Sequence, residues 1–210
     1  MPDTRTLNFY HAPNTRSGGV RVLLEEIGAP YDLVVLSLKK GENRQPAYLA
    51  INPMGKVPAI KHGDAVVTEA TAIYPYLADA FPSANLAPPI GDPLRGPYLR
   101  WIAFYGACLE PAVTDRSMGR EPLPLSRSGY GSYDLVLSTL NAQIAANAFI
   151  AGDRFTAADL LWHVALRWLT GFGVVPKTPT IANYIERTHR PAYDRAMAAD
   201  AALAAKLDAA

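Results

Sequence analysis

The sequence predicts two domains of different class, an α/β domain followed by an all-helical one. Over the first 80 residues, short β-rich runs alternate with segments of helical spacing, which indicates a mixed sheet with helices packed on it. The stretch FPSANLAPPIGDP, residues 81–93, contains four prolines and little helical periodicity, which is typical of a stiff linker. Everything beyond it is helical in character. We therefore expect domains at residues 1–81 and 94–210, joined by a linker at 82–93.

Strand patterns and helical patterns follow one another in the first domain. The predicted strands are residues 6–10, 31–38, 57–61 and 65–68, and the predicted helices are residues 20–27 and 69–80. Gly28 favours the end of the first helix, and His62-Gly63-Asp64 predicts the turn of a hairpin. Pro75 inside the second helix predicts a kink or a shorter helix.

The second domain reads as a series of helices. They are predicted at residues 94–113, 133–148, 157–170, 181–188 and 194–210. In FTAADLLW, residues 155–162, Thr156 is followed three residues later by Asp159, an approximate capping box. The three tryptophans, Trp101, Trp162 and Trp168, stand among leucine and isoleucine at helical spacing, which favours a place in the core.

Composition excludes several classes of function. Twenty basic and 19 acidic residues give a net charge near +1 without a clustered basic footprint, so no nucleic-acid surface is expected. Cys108 is the only cysteine, which rules out a disulfide framework or a CxxC redox pair and suits a reducing compartment. No signal-peptide pattern and no apolar run long enough to span a membrane is found, so we expect a soluble, cytoplasmic protein.

Pro58 lies inside the third predicted strand, in NPMGKVPAI, residues 52–60. A proline removes a ladder hydrogen bond and is rare within strands. A cis peptide between Val57 and Pro58 would turn the backbone N–H and C=O of Val57 outward, as a strand edge for an extended peptide-like ligand. The alternative is an edge-strand proline in a simple turn.

A second candidate site is Thr68-Glu69-Ala70-Thr71, where a strand passes into a helix. Unpaired N–H groups at a helix N-terminus attract an anion, and Glu69 supplies a negative charge beside them. Such a corner suits a zwitterion, with its carboxylate on the N–H groups and its ammonium on Glu69. The alternative is that Thr68 caps the helix and Glu69 is a first-turn acid favoured by the helix dipole.

The loop HAPNTRSGG, residues 11–19, joins the first strand to the first helix. Ligands collect beyond the carboxyl ends of strands in open α/β sheets. The Ser17 hydroxyl either donates to a thiolate or oxyanion held there or caps the helix. Gly18 and Gly19 weaken the first helical turn and allow a ligand to approach the backbone closely.

No metal site is predicted. His163 and His189 have no partner at metal-ligand spacing, and no carboxylate pair is recognisable.

Taken in order, these segments resemble the cytosolic glutathione transferase family, of the bacterial type with a serine-type active-site loop. The resemblance rests on a Pro-x-x-x-Ser loop, on YLAINPMGKVPAI, on TEATAIYPYLA and on FTAADLLW in a helical domain after a proline-rich linker. It covers nearly the whole chain. It implies a thioredoxin-like N-terminal α/β domain, an all-α helical-bundle domain, glutathione as co-substrate and a homodimer.

The resemblance also implies roles for single residues. Val57, ahead of a cis Pro58, would pair its backbone with the cysteinyl part of glutathione. Glu69 would bind the γ-glutamyl ammonium, and the backbone N–H of Ala70 its carboxylate. Lys56 and Asn43 would lie near the glycyl carboxylate.

Ser17, four residues before Arg21, would hydrogen-bond the glutathione sulfur as the resemblance implies. The loop leaves alternatives open, because Asn14 and Thr15 also carry donors and Arg16 can stabilise a thiolate by its charge.

One departure from the family pattern is Ala70, where the usual residue after the glutamate is serine. Its loss would weaken the carboxylate contact by roughly 0.5–1.5 kcal/mol unless Thr71 substitutes for it.

The predicted function is activation of the glutathione thiol, whose ordinary pKa is about 8.5, as a thiolate that attacks an apolar or aromatic electrophile. Tyr98, Trp101 and Tyr105 are candidates to line the electrophile site, although core packing explains them equally well. Two alternatives are a non-catalytic glutathione or ligand-binding protein of the same fold and, less favoured, a glutathione-dependent reductase or isomerase.

Overall fold

The computed structural model describes residues 6–121 and 123–209 and divides the chain into two compact units. The first unit runs up to Asn85 and also includes the segment from Arg190 onward, and the second is Leu86–His189. The sequence prediction put residues 94–210 into one helical domain, whereas the last helix belongs to the first unit. Residues 1–5, 122 and 210 of the predicted domains lie outside the described residues.

A four-stranded mixed sheet forms the centre of the first unit. Its strands are β1 (Leu7–His11), β2 (Asp32–Val35), β3 (Ala59–His62) and β4 (Ala65–Thr68), in the order β2-β1-β3-β4. β1 is parallel to β2, with Phe9 opposite Leu33, and antiparallel to β3, which is antiparallel to β4. This topology confirms the predicted α/β class. The second strand is shorter than predicted.

Four helices of the first unit accompany this sheet. They are α1 (Ser17–Ile27), α2 (Pro46–Leu49), α3 (Ala70–Ala80) and α9 (Pro191–Asp208). Gly28 ends α1 with a left-handed φ of 70°, and its N–H donates to Leu24 O, as the sequence predicts. α3 continues through Pro75 to Ala80 and is not shortened by it.

The last helix packs on α1 for two physical reasons. Its buried face is Ala192, Ala196 and Asp200, so small side chains allow close approach. Two ion pairs join the helices at their exposed edges, Arg190 with Glu26 at 2.6 Å and Arg195 with Glu25 at 3.5 Å. The alanine-rich composition of this last helix therefore serves a helix contact.

The second unit is helical, as predicted. Its helices are α4 (Arg95–Phe104), α5 (Glu110–Ser117), α6 (Tyr133–Ala146), α7 (Ala157–Gly171) and α8 (Pro179–Arg187). The single helix predicted for residues 94–113 is divided by a π-helical turn at Tyr105–Leu109, directly before Pro111. A proline lacks the N–H that a regular helix needs, and a π turn is one way to accommodate that loss. α7 begins with the predicted capping box between Thr156 and Asp159.

Within the described residues, no helix has the length and apolar character needed to cross a membrane.

Candidate active site

Ser17 begins α1, and its side chain is fully buried. Ala12 N–H donates to Ser17 Oγ at 3.2 Å, and Ser17 Oγ lies 3.0 Å from Ala12 O. The same oxygen is 2.7 Å from Thr15 Oγ1 and 2.8 Å from His11 Nδ1. Because a hydroxyl has one hydrogen and two lone pairs, these neighbours already use its full capacity. A direct contact between Ser17 and a sulfur stays a prediction.

The neighbouring loop residues differ in exposure. Thr15 is half-buried, and its hydroxyl donates to Ala12 O at 2.7 Å and accepts from Ser17 N–H at 3.2 Å. Arg16 is exposed. Asn14 is also exposed, with a left-handed φ of 58°. Among the described residues, the Asn14 amide has no hydrogen-bond partner, so it is the amide of this loop that is available to a ligand.

Two buried residues behind the loop, His11 and Asp200, were missed by the sequence analysis. His11 ends β1 and is fully buried, and its Nε2 lies 3.1 Å from Asp200 Oδ1 in α9. Arg21 Nη1 donates to the same Asp200 oxygen at 2.6 Å. A signal for His11 was present in the sequence, because the alternation of β1 places it on the same face as Leu7 and Phe9.

The electrostatics of Asp200 follow from these neighbours. Burial by itself raises the pKa of the Asp200 carboxyl, but hydrogen bonds from His11 and Arg21, with their charges, outweigh burial and lower it below its ordinary value. Asp200 is therefore a carboxylate at neutral pH.

Gly18 makes room for this carboxylate. A Cβ at this position would lie 3.1 Å from Asp200 Oδ2 and 3.6 Å from the Met197 methyl carbon. The sequence analysis assigned the glycines of this loop to ligand approach, whereas Gly18 is buried and admits the last helix.

The backbone at Val57 forms the second part of the site. The Val57–Pro58 peptide is cis, as the resemblance implies. In the part of the chain that the structure describes, the N–H and C=O of Val57 make no hydrogen bond. These groups are therefore available to an extended ligand at this edge.

Side chains of neighbouring residues hold the segment before Val57 by hydrogen bonds to its backbone carbonyls. Tyr48 Oη and Asn52 Nδ2 both donate to Lys56 O, at 2.5 and 2.8 Å, while the Lys56 side chain is exposed. Asn43 Nδ2 donates to Gly55 O at 2.8 Å. Asn43 thus supports the turn beneath Val57, and its predicted contact with a glycyl carboxylate stays a prediction.

The third part of the site is the start of α3. Glu69 is exposed and has a left-handed backbone, with φ 66° and ψ 122°. A non-glycine residue in this region is strained by about 1–3 kcal/mol and is often found at functional sites. Glu69 itself occupies the N-cap position without a side-chain cap, so the alternative in which Thr68 caps the helix is wrong.

The unusual backbone of Glu69 leaves donors at the helix end. Its carbonyl accepts from Ala72 N–H and Ile73 N–H, both at 2.9 Å. Within the described residues, the N–H groups of Ala70 and Thr71 have no partner. A carboxylate acceptor beside two available N–H groups is the arrangement that a zwitterion requires.

The candidate electrophile residues lie in the second unit. Tyr98 and Trp101 are almost fully buried and Tyr105 is 7% exposed, and the Trp101 ring packs edge-on against Trp162 with centroids 5.7 Å apart. Their main role is therefore core packing.

Burial raises the pKa of the Cys108 thiol, which disfavours a reactive thiolate there. Across the described ranges, no cluster of residues suited to a metal ion is found.

The fold and site define a class, a thioredoxin-like domain with an open backbone edge and a helix N-terminus, combined with a helical unit. The family model described as glutathione S-transferase, N-terminal domain, matches residues 5–79. Glutathione S-transferase F10 of Arabidopsis thaliana is 30% identical over 162 residues, 71% of this chain and 74% of that protein. GstA of Escherichia coli O157:H7 is 29% identical over 164 residues, 77% of this chain and 82% of the relative.

Solved structures agree with these relatives. A glutathione transferase from Methylococcus capsulatus is 28% identical with a TM-score of 0.79, over 93% of this chain and 99% of that one. A sphingomonad glutathione S-transferase, complexed with glutathione, is 27% identical with a TM-score of 0.76, over 92% and 98%. The chain belongs to the glutathione S-transferase family.

Proposed function

We propose that the protein binds glutathione along the first unit and activates its thiol for attack on an apolar or aromatic electrophile. The observation that carries this proposal is the start of α3, where the strained backbone of Glu69 leaves its carboxylate exposed beside the N–H groups of Ala70 and Thr71. A γ-glutamyl group carries one ammonium and one carboxylate and matches both. The sphingomonad relative solved with glutathione supports this choice of ligand.

The remaining contacts follow from a ligand that runs along the edge at Val57. The N–H and C=O of Val57 pair with the cysteinyl peptide group, as in strand addition. The exposed Lys56 ammonium attracts the glycyl carboxylate, with Asn43 close to the same turn. Two N–H groups at the helix end take the place of the serine hydroxyl that Ala70 lacks.

Sulfur activation belongs to the loop after β1. Ser17 was the predicted partner of the sulfur, with Asn14, Thr15 and Arg16 as alternatives. Because the Ser17 hydroxyl is buried and saturated, the geometry supports Asn14 as the direct donor and Ser17 as the residue that holds the loop. The N-terminus of α1 adds positive potential, which lowers the pKa of a bound thiol.

The first experiment follows thiolate absorbance of glutathione on the protein against pH. We expect bound thiolate to form well below the ordinary thiol value of about 8.5. Absence of glutathione binding at millimolar concentration would favour a ligand-binding protein that keeps only the fold. Binding without any thiolate shift would favour the non-catalytic glutathione-binding alternative.

Single variants separate the roles within the site. Glu69→Gln removes a charged hydrogen-bond partner worth about 1.5–3 kcal/mol, so glutathione affinity should fall roughly 10- to 100-fold. Asp64→Asn, at an exposed position of the β3–β4 turn, is the matched control and should leave affinity unchanged.

Asn14→Ala and Ser17→Ala are then compared for the thiolate. If Asn14 is the direct donor, its variant raises the pKa of the bound thiol and costs no more stability than the ~1–2 kcal/mol of alanine at a left-handed φ. A Ser17→Ala variant that raises the thiol pKa without loss of stability, beside an unaffected Asn14→Ala, would return the sulfur contact to Ser17.

A further inference from the structure

A buried polar chain joins the sulfur loop to the last helix. It runs from Thr15 and Ser17 through His11 to Asp200 and Arg21, which lie at opposite ends of the sequence. The His11 ring is fully buried, and its Nδ1 is 2.8 Å from Ser17 Oγ. Any movement of Asp200 must therefore reach the hydroxyl that organises the loop.

Four contacts fix the Ser17 hydroxyl. Ser17 Oγ donates to Ala12 O at 3.0 Å and accepts from Ala12 N–H at 3.2 Å. Thr15 Oγ1, which donates to the same Ala12 O, lies 2.7 Å from Ser17 Oγ. His11 Nδ1, at 2.8 Å, is the contact that links this hydroxyl to the last helix.

The second ring nitrogen faces a carboxylate. His11 Nε2 and Asp200 Oδ1 are at ion-pair distance, 3.1 Å, and a carboxylate oxygen can only accept. A hydrogen on Nε2 turns this contact from repulsion into attraction. The other ionisable groups of this network are Arg21 and Glu25 of α1 and Tyr31 before β2, of which Arg21 shares Asp200 with His11.

We infer that Asp200 acts through His11 and Ser17 as a positioning residue for the sulfur loop, because it fixes the His11 ring with the Nε2 hydrogen on the carboxylate. This inference rests on the proposed function, because it assigns the loop to the glutathione sulfur. The consequence is a loop whose shape is fixed from behind by the last helix. Gly18 is the position that permits the contact, since a side chain there would meet Asp200.

The first test uses nitrogen-15 NMR of the histidine rings, which distinguishes a ring nitrogen that carries a hydrogen from one that does not. His11→Gln identifies the His11 signals among those of the four histidines. We expect a hydrogen on His11 Nε2 in the wild type, and faster exchange of this hydrogen with solvent in Asp200→Asn. A wild-type His11 without a hydrogen on Nε2 would overturn the inference, and glutathione binding does not enter this result.

The second test compares Asp200→Asn with Glu26→Gln. The control removes an ion pair that also joins α9 to α1 but lies outside the polar chain. For Asp200→Asn we expect the pKa of bound glutathione to rise by about one unit and kcat near pH 6.5 to fall about tenfold, with the KM for glutathione within about threefold. Glu26→Gln should leave all three at their wild-type values.

The two tests distinguish a wrong role for Asp200 from a protein that does not bind glutathione. If the wild type binds no glutathione, the proposed function is wrong, while the NMR result still decides the state of His11. If the wild type activates glutathione and both variants behave alike, Asp200 only helps to hold α9, and the positioning role is wrong.

Discussion

Two buried aspartates, one in each unit, show how the same side chain is stabilised in two different ways. Asp200 in α9 faces the guanidinium of Arg21 and the ring of His11. Asp159 in α7 faces only neutral donors: the N–H groups of Ile150 and Thr156 and the hydroxyls of Thr156 and Tyr184. The first lies behind the candidate sulfur loop, and the second fixes the start of a core helix.

Their pKa values move in opposite directions for this reason. Burial raises the pKa of both carboxyls, but at Asp200 the cationic partners outweigh it and the pKa is lowered. At Asp159 burial dominates over four hydrogen bonds from neutral groups, and the pKa is raised. A buried carboxylate therefore needs charged partners to remain charged, whereas neutral donors chiefly fix its geometry.

The largest expected effect is loss of the neutral network. Asp159→Ala leaves Ile150 N–H, Thr156 N–H and the Tyr184 hydroxyl buried without this acceptor. Since each unsatisfied group costs about 1–3 kcal/mol, we expect the free energy of unfolding to fall by about 3–5 kcal/mol, measured by urea denaturation.

The matched control is Asp134→Ala, which changes an exposed aspartate in the first turn of α6. It should cost only a few tenths of a kcal/mol, roughly the surface contribution of the helix dipole. Similar losses of unfolding free energy in both variants would mean that the buried hydrogen bonds of Asp159 stabilise the fold no more than an exposed aspartate does.

The second expected effect is that the contributions of Asp200 and Asp159 to folding stability change with pH in opposite directions. Because the Asp200 pKa is lowered on folding, its charge stabilises the fold above the unfolded value near 3.8, and this contribution is lost as the pH falls through the lower folded value. Asp159 has a raised pKa, so its contribution is complete below the unfolded value and is lost as the pH rises through the folded one.

Urea denaturation between pH 2.5 and 7 therefore separates the two residues. The stability of wild type over Asp200→Asn should grow by about 1–2 kcal/mol as the pH rises, whereas its stability over Asp159→Asn should shrink. Equal slopes for the two variants would contradict the comparison.

The smallest effect concerns Gly18. Glycine to alanine within a helix gains up to about 1 kcal/mol, but here the new Cβ would meet Asp200 Oδ2 at 3.1 Å. We expect Gly18→Ala to be close to neutral in the wild type and to stabilise by roughly 0.5–1 kcal/mol in an Asp200→Ala background. The double-mutant cycle measures the contact directly, and additive effects would mean that Gly18 serves another purpose.

Much of the fold was readable from adjacent residues. The alternation of β1, the glycine that ends α1 and the Thr156–Asp159 capping box all appear where the sequence places them. The cis peptide before Pro58, one of two arrangements that the strand proline left open, is present as well. Of the candidate binding groups, Val57 and Glu69 were identified from the strand proline and from the strand-to-helix junction.

The parts of the fold and of the candidate site that the sequence did not predict depend on contacts between residues distant in the chain. Nothing in the sequence near Ala192, Ala196 and Asp200 indicates that α9 packs on α1, because that contact joins residues far apart in the chain. The resemblance assigned Ser17 to the glutathione sulfur. This contact stays a prediction, because it depends on how His11 and Thr15, at 2.8 and 2.7 Å, share the Ser17 hydroxyl.

The sequence by itself determined the classes of the two units, the family and the local elements, because a turn, cap or strand pattern is set by residues within a few positions of each other. Only the tertiary structure decided which polar groups remain available to a ligand. Burial and hydrogen-bond capacity depend on the neighbours that packing brings together, here Asp200 behind His11 and Ser17.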